Sequence, residues 1–290
     1  MIYEIRNESL KVRVSTLGGE LMSVQKDGVE YLWQGDPAFW SGRAYNLFPI
    51  CGRLTEGKYT YRGETYKMDL HGFVRKSELE LYAQTENSIA FRLRPNAEIS
   101  EIYPFDFTYR VFYTLEGNTL KIRYRVRNKG FKPLIFSVGG HPGFNLPLEE
   151  GLKFEDYRLE FACEKPAKAL VMSPTCFVTD KREPFALEKG RILPLRRDLF
   201  DNDAIVLEDM CRKVKLCSDK GKRSVTVDFP DMKYLGIWHA PKKAAPYVCI
   251  EPWTSIPSTD GEVDDLERKA DMEKLESMEI YRNEWSITLE

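Results

Sequence analysis

The 290-residue chain predicts an all-β protein, a large antiparallel sandwich or barrel, and three observations carry that prediction. Apolar and charged residues alternate with period two, turn residues separate the short alternating runs, and helical periodicity is poor almost everywhere. In chain order, residues 58–61 and 65–68 flank Arg62-Gly63-Glu64, and residues 79–85 and 88–93 flank Glu86-Asn87. Residues 105–115 are rich in aromatic and β-branched side chains, and Glu116-Gly117-Asn118 makes a hairpin turn into the next strand. In that strand Leu120, Ile122, Tyr124 and Val126 alternate with Lys121, Arg123, Arg125 and Arg127, which gives one buried and one wet face. Residues 214–217 and 225–229 flank Asp219-Lys220-Gly221-Lys222 in the same way. The best helical stretch is the acidic segment 262–275, which fits an irregular loop as well. No linker, low-complexity tract or repeat divides the chain, so residues 1–290 are expected to form one domain, a size that β-sandwiches reach.

Composition narrows the function classes. A hydrophobic fraction of 42% supports a substantial core, while charged residues, at 30%, nearly cancel to a net charge of -2. That balance argues against a nucleic-acid partner and against a polybasic membrane surface. The N-terminus has no basic segment followed by an apolar core, and no window approaches the roughly 18 apolar residues of a membrane span. Cys51, Cys163, Cys176, Cys211, Cys217 and Cys249 are scattered without a C-x-x-C pair, and are expected to be reduced, small apolar residues. A cytoplasmic protein without metal or cofactor is the expectation. There is no Gly-rich phosphate loop, no G-x-S-x-G elbow and no H-E-x-x-H pair.

Only three histidines are present. His71 lies in Leu70-His71-Gly72-Phe73, after a hairpin, and His141 lies in Gly139-Gly140-His141-Pro142-Gly143-Phe144. A single histidine in a strand-rich chain is usually structural. Two in Gly-rich loops, where the backbone allows close ligand approach, point instead to chemistry. His239, in Trp238-His239-Ala240-Pro241, reads equally as structural or functional. Glu251 ends the apolar run Tyr247-Val248-Cys249-Ile250, where a carboxylate must be paired or functional because an unpaired buried charge is costly. Arg53 also closes an apolar stretch and is either the ion-pair partner of Glu251 or a grip on a substrate oxygen. Trp33, Trp40, Trp238 and Trp253 fall near these segments. Most should be core, but sugars stack their C–H faces on such rings, and one or two fit a carbohydrate pocket.

Arg53, His71-Gly72-Phe73, Gly140-His141-Pro142-Gly143-Phe144 and Cys249-Ile250-Glu251-Pro252-Trp253, in that order, resemble the aldose 1-epimerase (galactose mutarotase) family, and more closely its LacX-like branch. The resemblance runs over nearly the whole chain. It implies a β-supersandwich with the site on the concave face of one sheet, and cofactor-free interconversion of the anomers of a small-molecule sugar. It further implies Glu251 as general base on the C1 hydroxyl, His141 as general acid on the ring oxygen, and His71 with Arg53 binding the sugar. A His–carboxylate pair suits mutarotation, which needs one proton donor and one acceptor. Galactose-specific members carry an Asp–His pair ahead of an apolar strand; the matching region here, residues 200–207, offers Asp203 without the His. The resemblance therefore implies epimerase chemistry without naming galactose as the sugar. A hexose-6-phosphate 1-epimerase would need a basic rim, which Arg75 with Arg43 or Lys76 would supply. A non-catalytic sugar-binding protein would have no use for the acid–base pair, and a lyase or hydrolase accessory domain would need an attached catalytic domain.

Overall fold

Alternation in sequence becomes cross-strand pairing in the computed structural model, which describes residues 1–290. Strands take up 48% of the residues and helices 7%, so the all-β expectation holds. Two large antiparallel sheets face each other. One has nine strands in the order Ile192–Pro194, Arg158–Phe161, Lys213–Cys217, Val225–Asp228, Ile280–Leu289, Thr119–Asn128, Phe107–Glu116, Ser88–Leu93, Glu80–Gln84. The other has seven: Val178–Phe185, Ala167–Met172, Ile205–Glu208, Tyr234–Trp238, Tyr247–Trp253, Gly139–Asn145, Ala44–Leu47. A four-stranded N-terminal sheet and two short ribbons complete the architecture. No helix is long and apolar enough to cross a membrane.

The hairpins expected around Arg62-Gly63, Glu86-Asn87, Glu116-Gly117-Asn118 and Asp219–Lys222 all form. Segment 262–275 is not helical; it is turns followed by the short strand Glu273–Leu275, which pairs with Leu134–Phe136. The one α-helix is Ala97–Ile102, where the Asn96 side chain caps the backbone N–H of Ile99. Its two turns are too short to show a period. The cysteine expectation also needs correction, because Cys163 and Cys211 form a disulfide with Cα atoms 5.7 Å apart. They follow and precede the paired strands Arg158–Phe161 and Lys213–Cys217, so register, invisible in the sequence, brings them together.

Between the two sheets lies the larger part of a continuous apolar cluster that includes Val111, Ile122 and Ile287 from one sheet and Leu235, Val248 and Ile250 from the other. Polar bonds fix the sheets in register at one point. Tyr124 Oη donates to the Gly139 carbonyl at 2.9 Å, and Asn46 Nδ2 donates to Tyr113 Oη at 2.8 Å. Each such satisfied buried bond contributes roughly 1 kcal/mol, and losing one partner costs more. Gly140 permits the close approach: a Cβ there would stand 2.3 Å from the Trp285 ring. Gly140 thus faces the core, and its neighbour His141 faces away from the nine-stranded sheet.

A candidate active site on the outer face of the seven-stranded sheet

Strand Tyr247–Trp253 is buried on both faces, which explains its unbroken apolar run. Val248 and Ile250 point into the intersheet core, while Cys249 and Glu251 point to the other face. Gly139 opposite Trp253 and Gly143 opposite Cys249 set the register of the neighbouring strand, so His141 stands across from Glu251. Their side chains meet at 3.2 Å, His141 Nε2 to Glu251 Oε2, with both groups almost fully buried. His141 therefore belongs to a strand, not to the Gly-rich loop expected. The same pattern, Gly-His-Pro-Gly, hides the strand because both of its faces are covered.

His71 does lie in a turn, at φ 60, directly before Gly72 at φ 75. Only glycine fits at 72, since a Cβ would come within 2.2 Å of the Phe48 carbonyl oxygen. The backbone N–H of Gly52 donates to His71 Nδ1 at 3.0 Å. That bond makes Nδ1 the acceptor and leaves Nε2 as the N–H of a neutral ring. Burial, and then the charges of His141, Arg75 and Arg53, hold the His71 pKa well below its usual range. The His71 and His141 rings meet edge to face at 5.2 Å, and Trp40 stacks on His141 at 4.8 Å.

Arg53 pairs with Asp203 at 3.4 Å and not with Glu251. Asp203, directly ahead of strand Ile205–Glu208, also accepts from Trp238 Nε1 at 2.7 Å. Arg75 donates to the Leu70 carbonyl at 2.9 Å and to Asp69 at 3.0 Å, and its guanidinium lies over the Tyr45 ring. All seven residues singled out in the sequence, His71, His141, Glu251, Arg53, Asp203, Arg75 and Trp238, line one cavity of about 350 Å³. Sequence reasoning missed Tyr45, Met172, Cys176 and Pro257 in its wall, residues with no local pattern to mark them. His239 is elsewhere, packed on Phe200 and Phe154 with Nδ1 2.8 Å from the Ala240 carbonyl, so it is structural. Trp33 supports the site indirectly by donating to the Trp40 carbonyl at 2.9 Å.

Burial governs the electrostatics here. It pushes the Glu251 carboxyl well above its usual range, with the Asp203 charge adding to the effect. It pushes His141 down to about 3, with the Arg75 charge acting the same way. His141 Nδ1 and Glu251 Oε2 have no hydrogen-bond partner. Cys249 Sγ lies within 4.8 Å of both ligand atoms, close enough for a three-donor metal site. Burial and Glu251 together hold that thiol protonated, which makes it a poor ligand.

Residues 1–262 match the family model described as aldose 1-epimerase. The LacX protein of Lactococcus lactis subsp. lactis is 39% identical over 299 aligned positions, covering 100% of this chain and 99% of that protein. Two solved structures are similar over their full length. A galactose mutarotase related enzyme from Lactobacillus acidophilus superposes with a TM-score of 0.94 at 37% identity, covering 100% of this chain and 97% of that one. A galactose mutarotase-like protein from Lactobacillus casei gives 0.95 at 30% identity, with 100% of both chains covered.

Proposed function

The chain belongs to the aldose 1-epimerase family, and on that premise we propose that it interconverts the α and β anomers of a free hexose by acid–base ring opening and closure. The observation that carries this reading is the buried contact of His141 with Glu251 on adjacent strands at the base of a sugar-sized cavity. Glu251 takes the proton of the C1 hydroxyl as the C1–O1 bond becomes a carbonyl. The electron pair of the breaking C1–O5 bond goes to the ring oxygen, which receives a proton from His141. Rotation about C1–C2 and the reverse steps close the ring on the other face. His71 Nε2–H and Arg53 bind sugar oxygens, and Trp238 and Trp40 offer ring faces to the sugar.

Desolvation suits both partners to this work. A carboxylate whose pKa is raised is a stronger base toward a hemiacetal hydroxyl, and an imidazolium whose pKa is lowered is a stronger acid toward an ether oxygen. Together they hold one mobile proton: burial favours the neutral pair with that proton on Glu251, and ring opening proceeds from the tautomer of equal net charge in which the proton has moved to His141. A binding module would gain nothing from such a pair.

Cation placement favours a neutral aldose over a sugar phosphate. Arg75 and Lys76 both bind Asp69, and Arg53 binds Asp203. Arg43 is outside the cavity, held by the Met22 carbonyl and Gln34. Polarimetry of freshly dissolved α-D-glucose and α-D-galactose tests the proposal, with accelerated relaxation expected for at least one. Relaxation unchanged across a panel of free and phosphorylated aldoses would overturn it.

A further inference from the structure

The wet face noted at Arg123, Arg125 and Arg127 becomes something more specific once the strands are paired. On the outer face of the nine-stranded sheet, Arg92 stands opposite Arg110, Arg110 opposite Arg125, and Arg125 opposite Arg282. With strands about 4.8 Å apart, the four form a row roughly 14 Å long. Like charges directly opposed destabilise a sheet, and a chain with net charge -2 has carboxylates available to break such a row. Only one does. Glu80, opposite Arg92, accepts from Arg92 Nε at 3.0 Å and reaches Arg94 at 3.6 Å. Arg110, Arg125, Arg127 and Arg282 make no ion pair, and the Nε atoms of Arg110 and Arg127 are buried without a hydrogen-bond partner.

One ring holds two of these guanidiniums in place: Arg110 lies 4.0 Å over Tyr82, and Arg92 lies 5.5 Å from the same ring. A depression of about 230 Å³ is lined by Arg92, Arg94, Arg110, Arg125, Arg127 and Lys129, with Asp106 as its one carboxylate. Burial, and then the charges of Arg125, Arg92 and Arg94, lower the Arg110 pKa despite Tyr82. The geometry points to an anion-binding site here for a small molecule bearing two phosphoryl groups, separate from the sugar cavity on the opposite outer face of the sandwich. Guanidinium forks match phosphoryl oxygens, and their cross-strand spacing suits neighbouring phosphoryl groups better than a lone carboxylate. Single-stranded nucleic acid fits less well. Tyr82 and Phe112, the rings on which bases would stack, are already covered by arginine.

Inorganic pyrophosphate, the smallest such probe, is titrated calorimetrically into the full chain at low ionic strength, alongside thermal unfolding. Wild-type protein should bind it and gain about 5 °C in Tm at a hundredfold excess over Kd. Arg110→Gln and Arg125→Gln should each weaken binding about tenfold or more, the loss expected for one charged hydrogen-bond pair. Both variants should keep the wild-type aldose relaxation rate without the anion, which shows that they fold. Arg53→Gln, in the sugar cavity, should leave pyrophosphate binding unchanged. Absence of pyrophosphate binding overturns the proposal, as does binding at wild-type affinity by both arginine variants. Binding of an RNA oligonucleotide without any response to pyrophosphate would also overturn it and assign the face to a polymer.

Discussion

Antiparallel register sets His141 opposite Glu251 on the seven-stranded sheet and Arg110 opposite Arg125 on the nine-stranded one, yet the two juxtapositions do different things. In the first, groups that can share one proton are sealed among Trp40, Trp238 and Cys249, and burial drives their pKa values in opposite directions. In the second, groups that cannot lose their charge are aligned at a half-exposed face, where water and salt screen them. Cross-strand neighbours within about 5 Å are thus neutral raw material. Sign and burial decide whether a pair becomes an acid–base device or a cationic row that needs an outside anion.

The largest expected effects break the buried pair. Glu251→Gln and His141→Asn should each lower the catalysed relaxation rate by about 10²–10⁴-fold, measured by polarimetry, with unchanged far-UV circular dichroism. Because the two groups pass one proton through one substrate, the double variant should be little worse than either single one. A multiplicative loss would mean that they act independently. Next in size is the grip on the sugar. Asp203→Asn removes the charge that orients both Arg53 and Trp238, and should raise KM about tenfold with a smaller change in kcat. A fall in kcat alone would place Asp203 in the proton transfer itself.

Linkage separates the two regions through stability. His141 stays neutral in the fold down to about 3, whereas in the unfolded chain it protonates near 6.5. Its contribution is therefore present above pH 6.5 and is lost as pH falls from there toward 3. Glu251 works in the other direction. The folded carboxyl keeps its proton above the ordinary 4.5, so stability present below 4.5 is lost as pH rises through the raised value. In urea midpoints against pH, His141→Asn should flatten the acid side and Glu251→Gln the alkaline side. Arg125→Gln, on the far face of the other sheet, should alter neither slope. If the arginine variant changed a slope as much as the histidine one, the assigned linkage would be wrong.

What the sequence revealed follows from how local each signal is. The hairpin at Glu116-Gly117-Asn118 was legible because alternation and turn residues lie within a few positions of one another. The cavity residues were legible as chemistry that had no business in apolar or Gly-rich segments: Glu251 after an apolar run, His71 beside Gly72. Neighbours across strands were not. The contact of His141 with Glu251 spans 110 positions and depends on a register that neither segment encodes alone. The same blindness made Cys163 and Cys211 look unrelated, and reduced the arginine row to a wet face on one strand. Residues 139–145 failed as a strand for another reason: with both faces buried, no alternation remains to be seen.

The smallest expected effect tests the cationic row by repairing it. Arg125 stands between Arg110 and Arg282, so Arg125→Glu converts two repulsive pairs into attractive ones. Each is worth roughly 0.2–1 kcal/mol in a sheet, and the gain should appear as a higher urea midpoint with an unchanged m-value. Salt should erase most of it, because both partners are partly exposed and the Debye length shrinks to about 3 Å at 1 M. The aldose relaxation rate should not move, since the substitution lies on the far face from His141 and Glu251. A loss of stability at low salt would mean that the guanidinium of Arg125 holds the sheet together through its packing on neighbouring side chains. The row would then be part of the scaffold and not a cost retained for an anion.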